Sequence, residues 1–182
     1  SVYKTRSALQ VGIAPAQFQK LPGGAYSITS QGAVIMEMAP AGGERKYDWK
    51  QKQMFALKVV DIGEFLASDE SRWGPEDGIK LFHDSSKVAG KEQGARKMLR
   101  VSKGKDGQSV FLNLKTSDAP DIVTSLTKGE YATFKHLMSF AVPHLLGWGV
   151  TGTPIEAGAP KSSAEQVFQS KQNDFDAQYW EE

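Results

Sequence analysis

The chain has 182 residues, with 22 Lys+Arg against 21 Asp+Glu, 40% hydrophobic residues and a formal net charge of +1, a length that suits one domain with a tail to spare. Cysteine is absent, which excludes a disulfide framework, a thiolate metal site, a CxxC redox pair and a cysteine nucleophile. The even charge excludes a generic polycation, so any nucleic acid would have to be held by a local surface, and no apolar run reaches the roughly 20 residues of a membrane span.

In chain order, residues 2–12 mix β-branched and aromatic residues with polar ones and predict a first strand, ending before Pro15 and a loop through Pro22-Gly23-Gly24. Residues 25–29 and 33–39 predict a hairpin around Ser30-Gln31-Gly32. After a loop at Pro40-Ala41-Gly42-Gly43, residues 47–59 alternate, with Trp49, Gln51, Gln53, Phe55 and Leu57 on one face and Lys50, Lys52, Met54 and Lys58 on the other. Alternation of this kind predicts a strand with one wet face. The spacing of Ile62, Phe65 and Leu66 predicts a short helix over 61–68, and four more strands are expected at 78–83, 95–101, 109–116 and 121–126, with Asp106-Gly107 as a tight turn.

Thr127-Lys128-Gly129-Glu130 is a capping box and opens a helix expected to run to about Leu146, with Pro143 kinking or locally breaking it near its end. Tyr131, Phe134, Met138, Ala141 and Leu145 make one apolar stripe, and Leu137, Phe140 and His144 make a second. A surface helix needs one such stripe, so the second predicts another burial, either against a second copy of the chain or under the C-terminal segment. From Gly147 the composition turns to Gly, Pro, Ser, Gln and Asp, which places a domain over 1–148 and a flexible tail over 149–182, ending in an acidic run with Phe175, Tyr179 and Trp180. Such a tail is either a solubilising terminus or a mimic of nucleic acid, its carboxylates standing for phosphates and its rings for bases. A start at Ser1 without a basic or apolar leader reads as a mature or trimmed form whose transit peptide is absent.

Tyr3-Lys4 in the first strand, Lys46-Tyr47-Asp48-Trp49-Lys50-Gln51-Lys52-Gln53 running into Phe55-Ala56-Leu57, Phe82-His83-Asp84, Arg96-Lys97-Met98-Leu99, Phe111-Leu112-Asn113-Leu114 and Pro143-His144-Leu145-Leu146-Gly147-Trp148 follow one another in an order and spacing. Over residues 1–148 this pattern resembles the Whirly family of plant single-stranded DNA-binding proteins. The resemblance implies an α+β fold of two antiparallel four-stranded β-sheets packed roughly perpendicular, held by a helix-loop-helix, and a homotetramer formed through the helices. It also implies sequence-tolerant binding of single-stranded DNA in chloroplast or mitochondrial nucleoids, in the service of genome stability and repair, with roles in transcription in the nucleus. The family signature Lys-Gly-Asn-Ala-Ala is here Lys4-Thr5-Arg6-Ser7-Ala8. The resemblance gives that lysine a part in DNA binding and in assembly of tetramers into larger particles, and proposes an autoregulatory role for the tail.

Independently of the family, a sequence-tolerant single-strand site needs flat faces on which bases stack and cations beside them for phosphates. The strands supply both, and the candidate contacts are Tyr3, Lys4, Arg6, Tyr26, Tyr47, Trp49, Lys50, Lys52, Gln53, Arg96, Lys97 and Phe111, with Arg100 on the same face as Arg96. Lys4 and Arg6 are expected to share one strand face, and Phe82 and Phe111 read equally well as core or as stacking residues. Leu137, Phe140 and His144 are the expected oligomer seam.

An enzyme is not expected. His83, His136 and His144 have no metal-ligand spacing, there is no GxSxG, and Gly23-Gly24 and Gly42-Gly43 lack the Lys-Ser/Thr of a P-loop, so neither a metal nor a cofactor is expected. Single-stranded DNA is the expected partner, with single-stranded RNA as the alternative on the same architecture. A duplex reader is disfavoured because no helix exposes the basic residues that enter a major groove.

Overall fold

In the computed structural model, which describes residues 1–74, 77–84 and 95–148, the chain is an α+β fold of antiparallel sheets and two helices. The expected tail over 149–182 lies outside the described residues. The strands are β1 (Val2–Tyr3), β2 (Ser7–Ala14), β3 (Gln17–Lys20), β4 (Tyr26–Ser30), β5 (Ala33–Gly43), β6 (Lys46–Tyr47), β7 (Gln53–Leu57), β8 (Ile79–Asp84), β9 (Arg96–Lys103), β10 (Ser109–Thr116) and β11 (Ala119–Thr127). The helices are α1 (Val59–Ala67) and α2 (Lys128–Leu145).

The first sheet is organised around β5, which pairs with β2 from Ser7↔Pro40 to Ala14↔Ala33 on one edge. On its other edge β5 carries β7, from Val34↔Leu57 to Met38↔Gln53, and then β6. Alternation sends Leu9, Val34, Met36, Met38, Phe55 and Leu57 inward, where all are fully buried. The second sheet is the meander β11-β10-β9-β8, and its Leu99, Val101, Leu112 and Leu114 close the core from the other side. The helices fill the remainder, with the Phe65 and Phe134 rings meeting edge to face at 5.4 Å.

A polar seam fastens one sheet to the other. The Ser7 hydroxyl donates to the Val123 carbonyl at 2.8 Å and lies 2.7 Å from the Thr124 hydroxyl. Gln53 donates through Nε2 to the Pro120 carbonyl and accepts from the Thr116 hydroxyl at Oε1. Lys97 Nζ donates to the Met54 carbonyl at 3.1 Å. Satisfied groups of this kind can be buried at little cost, whereas any one of them left without its partner costs about 1–3 kcal/mol.

The capping box forms as expected. Thr127 Oγ1 accepts from the Glu130 N–H at 3.2 Å, and Glu130 Oε2 accepts from the Thr127 N–H at 2.7 Å. All five members of the first stripe are buried. Pro143 does not break the helix, which continues two residues beyond it to Leu145. Leu146 caps it, and the chain turns away at Gly147, whose φ of +74° is the left-handed turn that glycine adopts without strain.

Four readings of the sequence are corrected. In place of two four-stranded sheets there is one sheet of five strands (β1, β2, β5, β6 and β7) and one of four, with β3 and β4 paired apart from both, because β5 takes partners on both of its edges. Residues 2–12 are two strands: β1 folds back on β2, with Val2↔Leu9 and Tyr3↔Ala8, so Lys4 and Arg6 sit in the connecting turn and share no strand face. Residues 25–29 and 33–39 do not pair with each other, because β4 pairs with β3 and β5 with β2. What looked like a turn at Gly32 is a crossing of backbones: its N–H donates to the Leu145 carbonyl at 3.1 Å, and a Cβ there would lie 2.7 Å from the Ala14 carbonyl oxygen and 2.9 Å from Leu145 Cα. Finally, the 47–59 strand is interrupted by a 3₁₀ turn at Trp49–Gln51, capped by the Asp48 carboxylate, which accepts from the Lys50 N–H at 3.0 Å. Trp49 and Gln51 therefore do not continue the inward face of Gln53, Phe55 and Leu57.

Candidate nucleic-acid interface

The turn between β1 and β2 is tied to the end of β5 and to β6 by a short series of hydrogen bonds. The Ala41 N–H donates to the Arg6 carbonyl at 2.9 Å, the Asp48 N–H to the Pro40 carbonyl at 2.9 Å, and the Tyr47 hydroxyl to the Lys4 carbonyl at 2.9 Å. These bonds place Tyr3, Arg6, Tyr47 and the Trp49-Lys50 turn on one part of the surface. Tyr3 is 61% exposed, and its ring lies 5.5 Å from that of Tyr47 at a tilt of 39°. Arg6 and Lys50 are exposed beside them, while Tyr47 and Trp49 are half-buried. Val2, opposite Leu9, takes the inward side, which sends Tyr3 outward over Ala8.

Lys4 behaves differently from Arg6. Its ammonium donates to both carboxylate oxygens of Glu130, at 2.9 and 2.8 Å, so its charge is met by the same group that caps α2. Burial acts to raise the Glu130 carboxyl, but the hydrogen bonds from Lys4 and Thr127 outweigh it and hold the group below the usual glutamate range. Lys52 is likewise ion-paired, to Glu37.

The other expected contacts do not join this cluster. Gln53 is buried, with both ends of its amide engaged in the seam between the sheets, and Lys97 points inward to the Met54 carbonyl, where burial lowers its pKa. Both are withdrawn from the interface, because their polar atoms are used inside the fold. Tyr26 stands on the β3–β4 hairpin opposite Lys20. Arg96 and Phe111 lie on the outward face of the second sheet, Arg96 3.7 Å from Asp84 and Phe111 against Gly104.

That outward face also holds residues the sequence reading passed over or left open. Ile79 and Leu81 are buried, so Lys80 and Phe82 point outward, and Phe82 is 69% exposed. The alternation from Ile79 to Phe82 was the signal. On α2, Leu137 and Phe140 are 53% and 64% exposed, and the Phe140 ring is 4.8 Å from that of His144. Among the described residues, no helix is long and apolar enough to cross a membrane.

The sequence model of a family described as Whirly transcription factor matches residues 2–137. The chain is 36% identical over 161 residues to the chloroplastic single-stranded DNA-binding protein WHY1 of Zea mays, covering 86% of this chain and 59% of that protein. It is also 36% identical over 155 residues to the mitochondrial single-stranded DNA-binding protein WHY2 of Arabidopsis thaliana, covering 81% and 62%. The crystal structure of WHY1 from Arabidopsis thaliana superposes with a TM-score of 0.74 at 32% identity, over 86% of this chain and 94% of that one. The chain spans about three fifths of the length of these curated relatives.

Proposed function

The chain belongs to the Whirly family, and from that premise we propose that it binds single-stranded DNA with little dependence on sequence, as part of the maintenance of organellar DNA. The observation that carries this reading is the Tyr3–Tyr47 ring pair, 5.5 Å apart and flanked by exposed Arg6 and Lys50. Any base has a π-face to lay on such rings, and any strand has phosphates for the two cations, so the arrangement favours strand over sequence. The relatives' names support the same reading, being single-stranded DNA-binding proteins of chloroplast and mitochondrion.

The working unit is a homotetramer seamed by Leu137, Phe140 and His144, with its two sheets crossing at roughly right angles. Support for the seam comes from the exposure of that stripe beside a fully buried one on the same helix. The site is tested by titrating Tyr3→Ala with oligothymidylate. Loss of a stacking platform is worth about 1–3 kcal/mol, an affinity loss of roughly 5- to 150-fold, without change in melting temperature because Tyr3 is mostly exposed. Unchanged affinity would remove this ring pair from the site.

A further inference from the structure

One carboxylate, that of Glu130, serves two distant parts of the chain. At the start of α2 it accepts from the Thr127 N–H at 2.7 Å, and both of its oxygens accept from the Lys4 ammonium, at 2.9 and 2.8 Å. Lys4 is also held at its backbone from two sides. Its N–H donates to the Ser7 carbonyl at 2.9 Å, and its carbonyl accepts from the Tyr47 hydroxyl at 2.9 Å. These contacts run in series from the capped end of the helix to the Tyr3–Tyr47 ring pair. Tyr3 needs such a mount, because it is mostly exposed and lies on β1, a strand of two residues whose neighbour in the sheet is β2. So short a strand has few ladder bonds with which to hold an exposed ring. The helix has what β1 lacks, being fixed along its length by the buried stripe from Tyr131 to Leu145.

We infer that Glu130 is a positioning residue of the single-strand site: through Lys4 it fixes the β1–β2 turn on the capped end of α2, and so holds the Tyr3 and Tyr47 rings in place before the strand arrives. The inference rests on the single-strand reading proposed above and adds to that site a residue that acts without touching the strand. Its sign sets it apart from simple electrostatics. A carboxylate beside a phosphate-binding surface repels the strand and occupies the Lys4 charge, so on charge alone its removal should tighten binding. A carboxylate that keeps the rings ordered has the opposite effect. Once it is removed, a ring must be ordered on association, and its lost rotamer freedom adds to the cost of binding.

The test is Glu130→Gln, Lys4→Met and Lys4→Arg, each titrated with oligothymidylate by fluorescence anisotropy over a series of salt concentrations, with melting, circular dichroism and light scattering on the free proteins. Glutamine at this helix position still accepts from the Thr127 N–H, so Glu130→Gln keeps the cap and loses the charged grip on Lys4. Lys4→Met loses the same grip and leaves the cap untouched. Both should weaken binding by roughly 2- to 12-fold, and should lower the slope of log K against log salt by less than half of the roughly 0.7 of a phosphate contact. Lys4→Arg, whose guanidinium can take both carboxylate oxygens, should rescue the affinity. In a Tyr3→Ala background Glu130→Gln should cost little more, because the ring it positions is gone. Tighter or unchanged binding by Glu130→Gln overturns the inference and leaves the proposed function standing. So does an undiminished loss in the Tyr3→Ala background, or a loss that comes only with loss of helix or of the wild-type particle mass. Wild-type affinity in Tyr3→Ala itself removes the ring pair from the site and this inference with it, and a wild-type protein that binds no single strand overturns the proposed function as well.

Discussion

At the scale of single residues, what decides a cation's role is whether the fold already answers its charge. Lys4 and Arg6 are two positions apart, yet Lys4 is held by both oxygens of Glu130 while Arg6 is exposed. Neutralising a true phosphate contact lowers the salt slope by roughly 0.7, the single-strand counterion-release value. Arg6→Gln and Lys50→Gln should each show this decrease, and Lys4→Gln should show less than half of it, because a phosphate must first displace a carboxylate. Equal slopes for all three would mean that the Lys4–Glu130 pair opens freely in the complex. Glu130 gives a pH prediction. Its carboxyl is held below the ordinary value in the folded chain, so the unfolded chain takes up this proton first as pH falls. The stability it contributes is complete above about pH 5 and is lost as the pH drops through its folded value. Asp106, lowered to about 2 by hydrogen bonds from Ser109 and Gln108, adds a similar loss at lower pH, so the comparison must be between variants. Melting temperature should fall less between pH 5 and pH 3.5 for Glu130→Gln than for the wild type, and parallel curves would show that the pair contributes nothing. The Thr127–Glu130 cap was legible in the sequence and the Lys4–Glu130 pair was not: the two residues are 126 apart, and no local pattern announces such a pairing.

At the scale of elements, strong periodicity was readable and interruptions of it were not. The second sheet and α2 follow from alternation and from a capping box whose parts lie within four residues of each other. The 3₁₀ turn at Trp49–Gln51 escaped because period-two spacing runs unbroken through it in the sequence; the only local signal was Asp48, a favourable cap. The β1–β2 turn escaped because Lys4-Thr5-Arg6 contains neither Gly nor Pro. In the sequence Gly32 has the context of a hairpin turn, whereas in the fold it is the place where β2, β5 and the end of α2 approach one another. All three of its near neighbours are backbone atoms, within 2.7 to 2.9 Å of an added Cβ, and cannot swing aside. Gly32→Ala should therefore cost about 1–3 kcal/mol, read as a drop of roughly 2–12 °C in melting temperature, with no change in salt slope. A melting temperature equal to the wild type would mean that the crossing is looser than its distances imply. The exposed stripe of α2 makes the opposite prediction. Leu137→Asp or Phe140→Asp should leave the circular dichroism spectrum intact, since both side chains are mostly solvent-facing in one copy, and should reduce the particle to a monomer in light scattering. An intact tetramer would place the seam elsewhere.

At the scale of the whole molecule, a net charge of +1 is informative because it leaves affinity to local surfaces. The candidate residues read from the sequence are divided between the cluster around Tyr3 and Tyr47, the outward face of the second sheet, the β3–β4 hairpin and the interior. Residue type was legible, since aromatic and basic side chains interleave in the sequence as they do on the surface. Which of them face outward was legible where alternation held, as in Ile79 to Phe82 and at Gln53 on the face of Phe55 and Leu57, and not where a turn intervened, as at Trp49. The central claim is that rings and cations together select a single strand with exposed bases. A duplex offers phosphates and keeps its bases stacked inside, so the cations can engage it while the rings cannot. The most direct measurement is a competition at physiological salt, in which labelled oligothymidylate bound to the wild-type protein is displaced by unlabelled single-stranded DNA of mixed sequence, by single-stranded RNA of the same sequence and by the matching duplex. Displacement by single-stranded DNA of either composition at similar concentrations, with the duplex at least tenfold weaker and RNA weaker than DNA, is the expected result. Equal displacement by the duplex would contradict the account, because binding would then follow phosphate charge alone.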